Sequence, residues 1–198
     1  MMKRLSILLF LLTSLTSFSQ KSKKVKFEKE NYWGYYSEVF EQPLFIRYEI
    51  HHCDYGESRK GIKFFRDKEI HTSDNGDYYK NPWDRGHLVP AASQNCTYQM
   101  IKETFNYLNC ALQYYKLNQG VWRELEEYER ELATKWNVVV EVKVEFNENS
   151  KKLNTGAVVP SGFWKTIILD NGLIVYEYYF PNIEPVYKDY EKYQIYNK

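Results

Sequence analysis

The stretch Trp83-Asp84-Arg85-Gly86-His87-Leu88-Val89-Pro90-Ala91-Ala92 carries the first candidate chemistry. A neutral imidazole at His87 can take a proton from water near pH 7. Arg85, two residues away, offers a planar fork of donors that suits a phosphate oxygen. Gly86 and Pro90 restrict the backbone around the pair. The competing reading is a buried histidine in a structural turn. The second candidate is Asn118 with Glu126, eight residues further on. Eight helical steps leave them about 80° apart around the axis and roughly two turns apart along it, so both can border one cleft. An amide oxygen is a hard donor suited to Mg2+, and a carboxylate can hold metal-bound water. Taken alone, Asn118 also reads as an N-cap and Glu126 as part of a solvated helix face.

A helix is expected from about residue 118 to 135, NQGVWRELEEYERELATK, with Val121, Leu125, Tyr128 and Leu132 forming one apolar stripe. Residues 98–108 suit a shorter helix. Residues 44–52 (LFIRYEIHH) are rich in β-formers, and residues 138–146 (VVVEVKVEF) alternate as a half-buried strand. Residues 166–169 and 173–179 flank Asp170-Asn171-Gly172, a strong hairpin signal. Residues 21–30 read as a charged, solvated lead-in and residues 53–82 as a long irregular segment, of the kind that carries function in compact domains. Strands and helices mix without a βαβ rhythm, so the expected class is α+β.

The 198-residue chain is 43% hydrophobic and 27% charged, which argues against intrinsic disorder. Nine Gly and six Pro exclude a fibrous or low-complexity chain. The aromatic content, 18% with 19 Tyr, suits both a core and a wet binding surface. A formal charge of +1 is no bulk polycation, so nucleic-acid binding would need a local patch. The start, MMKRLSILLFLLTSLTSFSQ, has a basic Lys3-Arg4 region, an apolar block from Leu5 to Leu12 and small residues at Ser17 and Ser19. It reads as a signal peptide cleaved after Ser19, leaving one domain over residues 20–198 in the periplasm or outside the cell, with no stable membrane association. An uncleaved N-terminal anchor is the alternative. Cleavage removes Lys3 and Arg4 and no acidic residue, which tips the net charge to −1. Export permits disulfides, and Cys53, Cys96 and Cys110 allow one pair and one free thiol. His51-His52-Cys53 is a weak metal candidate, because adjacent residues on a strand face opposite ways.

Together the two chemical stretches resemble the DNA/RNA non-specific endonuclease family, the ββα-metal or His-Me finger nucleases. The match is DRGH at Asp84–His87 with Pro90-Ala91-Ala92, then Thr104-Phe105, Asn109 and Gln113, then Leu117-Asn118-Gln119-Gly120-x-Trp122-x-x-Leu125-Glu126 and Arg130. Val159-Pro160 and Phe163-Trp164-Lys165 continue it, so the resemblance runs from about residue 32 to 180. DRGH alone is a moderate signal; followed about thirty residues later by LNQGxWxxLE it is strong.

The resemblance implies a central antiparallel sheet flanked by helices, with the site on a ββα unit. It implies His87 as the general base, Asn118 as the single direct protein ligand of one Mg2+ (Mn2+ as the alternative), and Glu126 as the carboxylate that orients the metal's waters. It places Arg85 near the scissile phosphate and Asn109 in the lining of the same site. The implied substrates are DNA and RNA, cut to 5′-phosphate ends by a monomer or homodimer. Lys60, Lys63 and Arg66 are candidate phosphate contacts. Two departures stand out. Leu112 occupies a position where the family usually has Pro. The family's second active-site arginine has no clear counterpart: Lys63, before Phe64-Phe65, is the nearest position and Arg66 the alternative. A non-catalytic nucleic-acid-binding or surface protein on the same scaffold is the runner-up reading.

Overall fold

The computed structural model describes residues 24–51, 53 and 56–196. The expected signal peptide, residues 1–19, lies outside the described residues. Among the described residues, eight strands and three α-helices follow in chain order. They are β1 (Lys24–Glu28), β2 (Tyr32–Ser37), β3 (Gln42–Glu49), β4 (Trp83–His87), α1 (Tyr98–Glu103), β5 (Cys110–Tyr114), α2 (Tyr115–Gln119), α3 (Val121–Leu132), β6 (Val138–Glu145), β7 (Gly162–Leu169) and β8 (Ile174–Pro181). Six strands form an antiparallel sheet in the order β1-β2-β3-β6-β7-β8, and β4 pairs with β5 in a second, two-stranded sheet. The class is α+β, as expected.

Strand alternation explains the large sheet. On β6, Val138, Val140, Val142 and Val144 are buried, while Val139, Glu141, Lys143 and Glu145 point away. Burying such a side chain stabilises by about 1.5–3 kcal/mol, an upper figure because denatured chains already bury some surface. β7 and β8 pair in register from Gly162↔Pro181 to Leu169↔Ile174, joined by the expected Asp170-Asn171-Gly172 turn. Val121, Trp122 and Leu125 of α3 are buried in the main core with Tyr48, Val140, Phe163 and Phe180, and Tyr128 and Leu132 pack at its edge.

Several elements differ from expectation. The charged lead-in over 21–30 contains β1, whose Phe27 is buried and whose backbone pairs with β2. The helix expected over 118–135 is two helices, and Asn118 lies inside α2 rather than at an N-cap. Gly120 separates them at φ −107°, ψ −119°, and a Cβ there would meet the Lys116 carbonyl oxygen at 2.6 Å. The break therefore rests on glycine. The strand β4 had no alternating pattern to announce it. Its Gly86 lies so close to Gln113 of β5 that a Cβ would meet that side chain at 2.3 Å. Of residues 98–108, only Tyr98–Glu103 is α-helical, capped by the Thr97 hydroxyl, which accepts from the Met100 N–H.

Leu112 has a local reason to differ from proline. Its N–H donates to Gln42 Oε1 at 2.9 Å in the buried interior, and proline has no N–H to give. None of the helices among the described residues is long and apolar enough to cross a membrane.

Candidate active site

The β4–β5 pair and the α2–α3 junction converge on an open cleft of about 620 Å3. Its lining includes His87 from the end of β4, Asn118 from α2, and Glu126 and Arg130 from α3. His87, Asn118 and Glu126 thus meet in one cleft, from β4 and from the neighbouring helices α2 and α3.

His87 sits between Phe64 and Phe105, with ring centroids 5.1 and 5.0 Å away. Its Nε2 is buried and has no partner among the described residues. Burial lowers its pKa to about 4, the nearby Arg59 charge pushes the same way, and a hydrogen bond to the Arg85 backbone opposes them. The ring is therefore neutral at pH 7 and able to accept a proton.

Asn118 is held by its amide nitrogen. Nδ2 donates to Asp84 Oδ2 at 2.9 Å, and Gln119 Nε2 donates to the same oxygen at 2.7 Å. That fixes which end of the amide is nitrogen and leaves Oδ1 as the hard oxygen donor. Glu126 is half-buried. Burial raises its pKa to about 7, Lys165 and Arg130 oppose the rise, and Glu129 adds to it. A cation beside it would favour the ionised carboxylate. One amide oxygen and one carboxylate on an open, polar wall suit a hard ion that keeps most of its waters, as Mg2+ does. Among the described residues no three His, Cys, Asp or Glu side chains are grouped to enclose a metal.

Other expected residues lie elsewhere. Arg85 is not on the cleft wall. Its Nε donates to the Tyr107 hydroxyl at 3.2 Å and its Nη2 to Asn75 Oδ1 at 2.8 Å, with the guanidinium over Phe64 and Tyr78. Asn109 does not line the site either. It is fully buried, accepts from the Val89 N–H at 2.8 Å, and donates to the Val89 and Thr104 carbonyls. Its amide is used up in bracing the chain just after His87. Lys60 and Lys63 are exposed and are not among the residues that line the cleft. Arg66 pairs with Asp74 beside a separate surface pocket that includes Phe64 and Phe65.

The cation that reaches the cleft from this segment is Arg59, which the sequence reading missed. Only its place in a long irregular segment marks it along the chain, because Lys60 and Gly61 follow it rather than an aromatic residue. The loop carrying Arg59 is tied down at two points. The Glu57 N–H donates to the Asn95 carbonyl at 2.7 Å, and Cys53 is disulfide-bonded to Cys96 across 43 residues. Cys110 is free and buried, its thiol pushed well up by burial. The disulfide also removes the Cys53 thiolate from the His51-His52-Cys53 metal reading; His52 lies outside the described residues.

The sequence model for DNA/RNA non-specific endonucleases matches residues 14–197. The chain is 41% identical over 85 residues to the mitochondrial nuclease EXOG of Danio rerio, covering 41% of this chain and 25% of that protein. It is 34% identical over 84 residues to human mitochondrial endonuclease G, covering 41% and 28%. It is 33% identical over 102 residues to a nuclease of Serratia marcescens, covering 48% and 38%. The matched stretch is thus well under half the length of each relative. Among solved structures, a crystal structure of the EndoG/EndoGI complex superposes with a TM-score of 0.73 at 22% identity, over 86% of this chain and 79% of that one. The match of the family's sequence model over nearly the whole chain shows that this protein belongs to the DNA/RNA non-specific endonuclease family.

Proposed function

We propose that the chain is an exported, Mg2+-dependent endonuclease that hydrolyses phosphodiester bonds of DNA and RNA without sugar specificity. The observation that carries this reading is the meeting of His87, Asn118 and Glu126 in one polar cleft. His87 accepts a proton from water. Asn118 offers its amide oxygen to the ion, with Asp84 holding the other end of the amide. Glu126 would orient the waters of such an ion. Arg59 meets the phosphate charge, in place of Lys63 and Arg66. Arg85 acts one layer back, through Phe64 and Tyr107. A bound Mg2+ would neutralise the phosphate and stabilise the departing O3′, leaving a 5′-phosphate. Contacts to phosphates carry no sequence information, which fits a non-specific enzyme.

The position of Arg85 off the cleft favours a second reading, a nucleic-acid binder on the same scaffold. One experiment separates the two. Residues 20–198 are incubated with supercoiled plasmid and with an RNA, in Mg2+ or in EDTA, alongside His87→Ala and Asn118→Ala. Metal-dependent cutting of both substrates, lost in both variants, is the expected result. Binding without cutting in Mg2+ and in Mn2+ would leave the binder.

A further inference from the structure

Lys165 occupies an inward position of β7, in the same alternating row as Phe163, Ile167 and Leu169. A lysine in that row belongs to neither a solvated face nor an apolar core. Its Nζ lies 2.6 Å from Glu129 Oε1 on α3, and both side chains are 0% exposed. The Tyr48 hydroxyl of β3 donates to the other Glu129 oxygen at 3.0 Å, and Lys165 Nζ lies 4.2 Å from the centre of the Trp122 ring. This network joins α3 to β3 and β7 through the middle of the core.

Two ions are an expensive way to seat a helix on a sheet. Their desolvation cancels much of their attraction, and an apolar set of equal volume commonly holds at least as well. What charges add is direction: two carboxylate oxygens with separate partners fix one rotation of a helix that apolar packing alone would leave looser. Glu129 is three residues after Glu126, about 60° away around the axis of α3. A rotation fixed at Glu129 is therefore fixed at Glu126 and at the adjacent Arg130, both on the cleft.

We propose that Lys165, Glu129 and Tyr48 form a positioning unit that locks the rotation of α3 and so places Glu126 beside Asn118. The role rests on the nuclease reading above.

The test is the apolar variant Tyr48→Phe/Glu129→Leu/Lys165→Met, with Tyr48→Phe alone as the milder companion. Three readouts are taken: thermal melting, hydrogen exchange of the α3 amides, and plasmid turnover against Mg2+ concentration. The triple variant is expected to fold and melt at or above the wild-type temperature. Its α3 amides should exchange at least tenfold faster, turnover should fall at least tenfold, and half-saturating Mg2+ should rise severalfold. Tyr48→Phe should move exchange and turnover the same way by a smaller factor. If either variant folds with wild-type exchange and wild-type Mg2+ dependence, the unit is only a packing device and the proposal fails. If the triple variant does not fold, Tyr48→Phe decides on the same readouts. If the wild type itself does not cut nucleic acid, the nuclease reading fails; exchange that is still faster in the variants upholds the lock, and unchanged exchange removes it too.

Discussion

The Asp84 carboxylate takes two amide donors on a single oxygen, Asn118 Nδ2 at 2.9 Å and Gln119 Nε2 at 2.7 Å. Asp84 stands on β4 and Asn118 on α2, so one carboxylate ties the strand that ends in His87 to the helix that carries the proposed metal ligand.

Asp84→Ala frees the Asn118 amide to turn. Loss of a partner behind a metal ligand commonly costs about 10–100-fold in metal affinity or activity. The expected result is a fall of that size in turnover, with a higher half-saturating Mg2+ and little change in melting temperature. Unchanged Mg2+ dependence would show that Asn118 is held without Asp84.

His87→Ala removes the proposed base. General-base loss costs roughly 100–10,000-fold in rate, and plasmid nicking measures it directly. The histidine also makes a pH prediction for stability. Its folded pKa, about 4, is below the ordinary value of 6.5, so the unfolded chain takes up the proton first as pH falls. The neutral ring's contribution is present above pH 6.5 and lost as pH drops towards 4. Denaturant midpoints at pH 7 and pH 4.5 should therefore differ less in His87→Ala than in the wild type. An equal pH dependence in both would show that the ring titrates normally.

Arg59→Ala and Lys63→Ala discriminate between the cation on the cleft and the one away from it. Arg59→Ala is expected to lower kcat/KM by about tenfold or more, equivalent to roughly 1.4 kcal/mol of transition-state stabilisation. Lys63→Ala should stay within about twofold at physiological salt, as befits an exposed charge that does not line the cleft. The reverse ranking, measured on the same plasmid, would return the role to Lys63.

The Cys53–Cys96 disulfide joins two parts of the cleft wall, and the Arg59 loop follows Cys53. Cys53→Ser/Cys96→Ser should lose about 2–4 kcal/mol of stability, the usual range for a native crosslink, read as a lower urea midpoint. It should also lose kcat/KM in the same direction as Arg59→Ala. Dithiothreitol should reproduce both effects in the wild type and neither in the double variant. Full activity in the double variant would show that the Glu57–Asn95 bond holds the loop unaided.

Some of this protein was legible along the chain itself. The valines of β6 alternate because one face of a sheet is buried, and the stripe on α3 repeats because one face of a helix is buried. The Asp170-Asn171-Gly172 turn is chemistry local to its own residues. The residue types of His87, Asn118 and Glu126 carried their chemistry before any fold was known, and the DRGH and LNQGxWxxLE spacing carried the family.

The rest depended on partners far away in sequence. β4 lacks a pattern because its place is set by β5 and by the close approach of Gly86 to Gln113. The break at Gly120 is fixed by the crowding of one carbonyl, which periodicity does not register. Asn109 looks like a site residue until the Val89 and Thr104 backbone claims its amide. Lys165 looks like a surface lysine until α3 brings Glu129 to it. Arg59 looks like any other loop cation until its segment is tied back beside Asn95 and Cys96, where it lines the cleft. Sequence fixes the chemical type and local periodicity of each side chain; which way a charged side chain faces follows from where distant segments close on one another, and only the tertiary structure contains that.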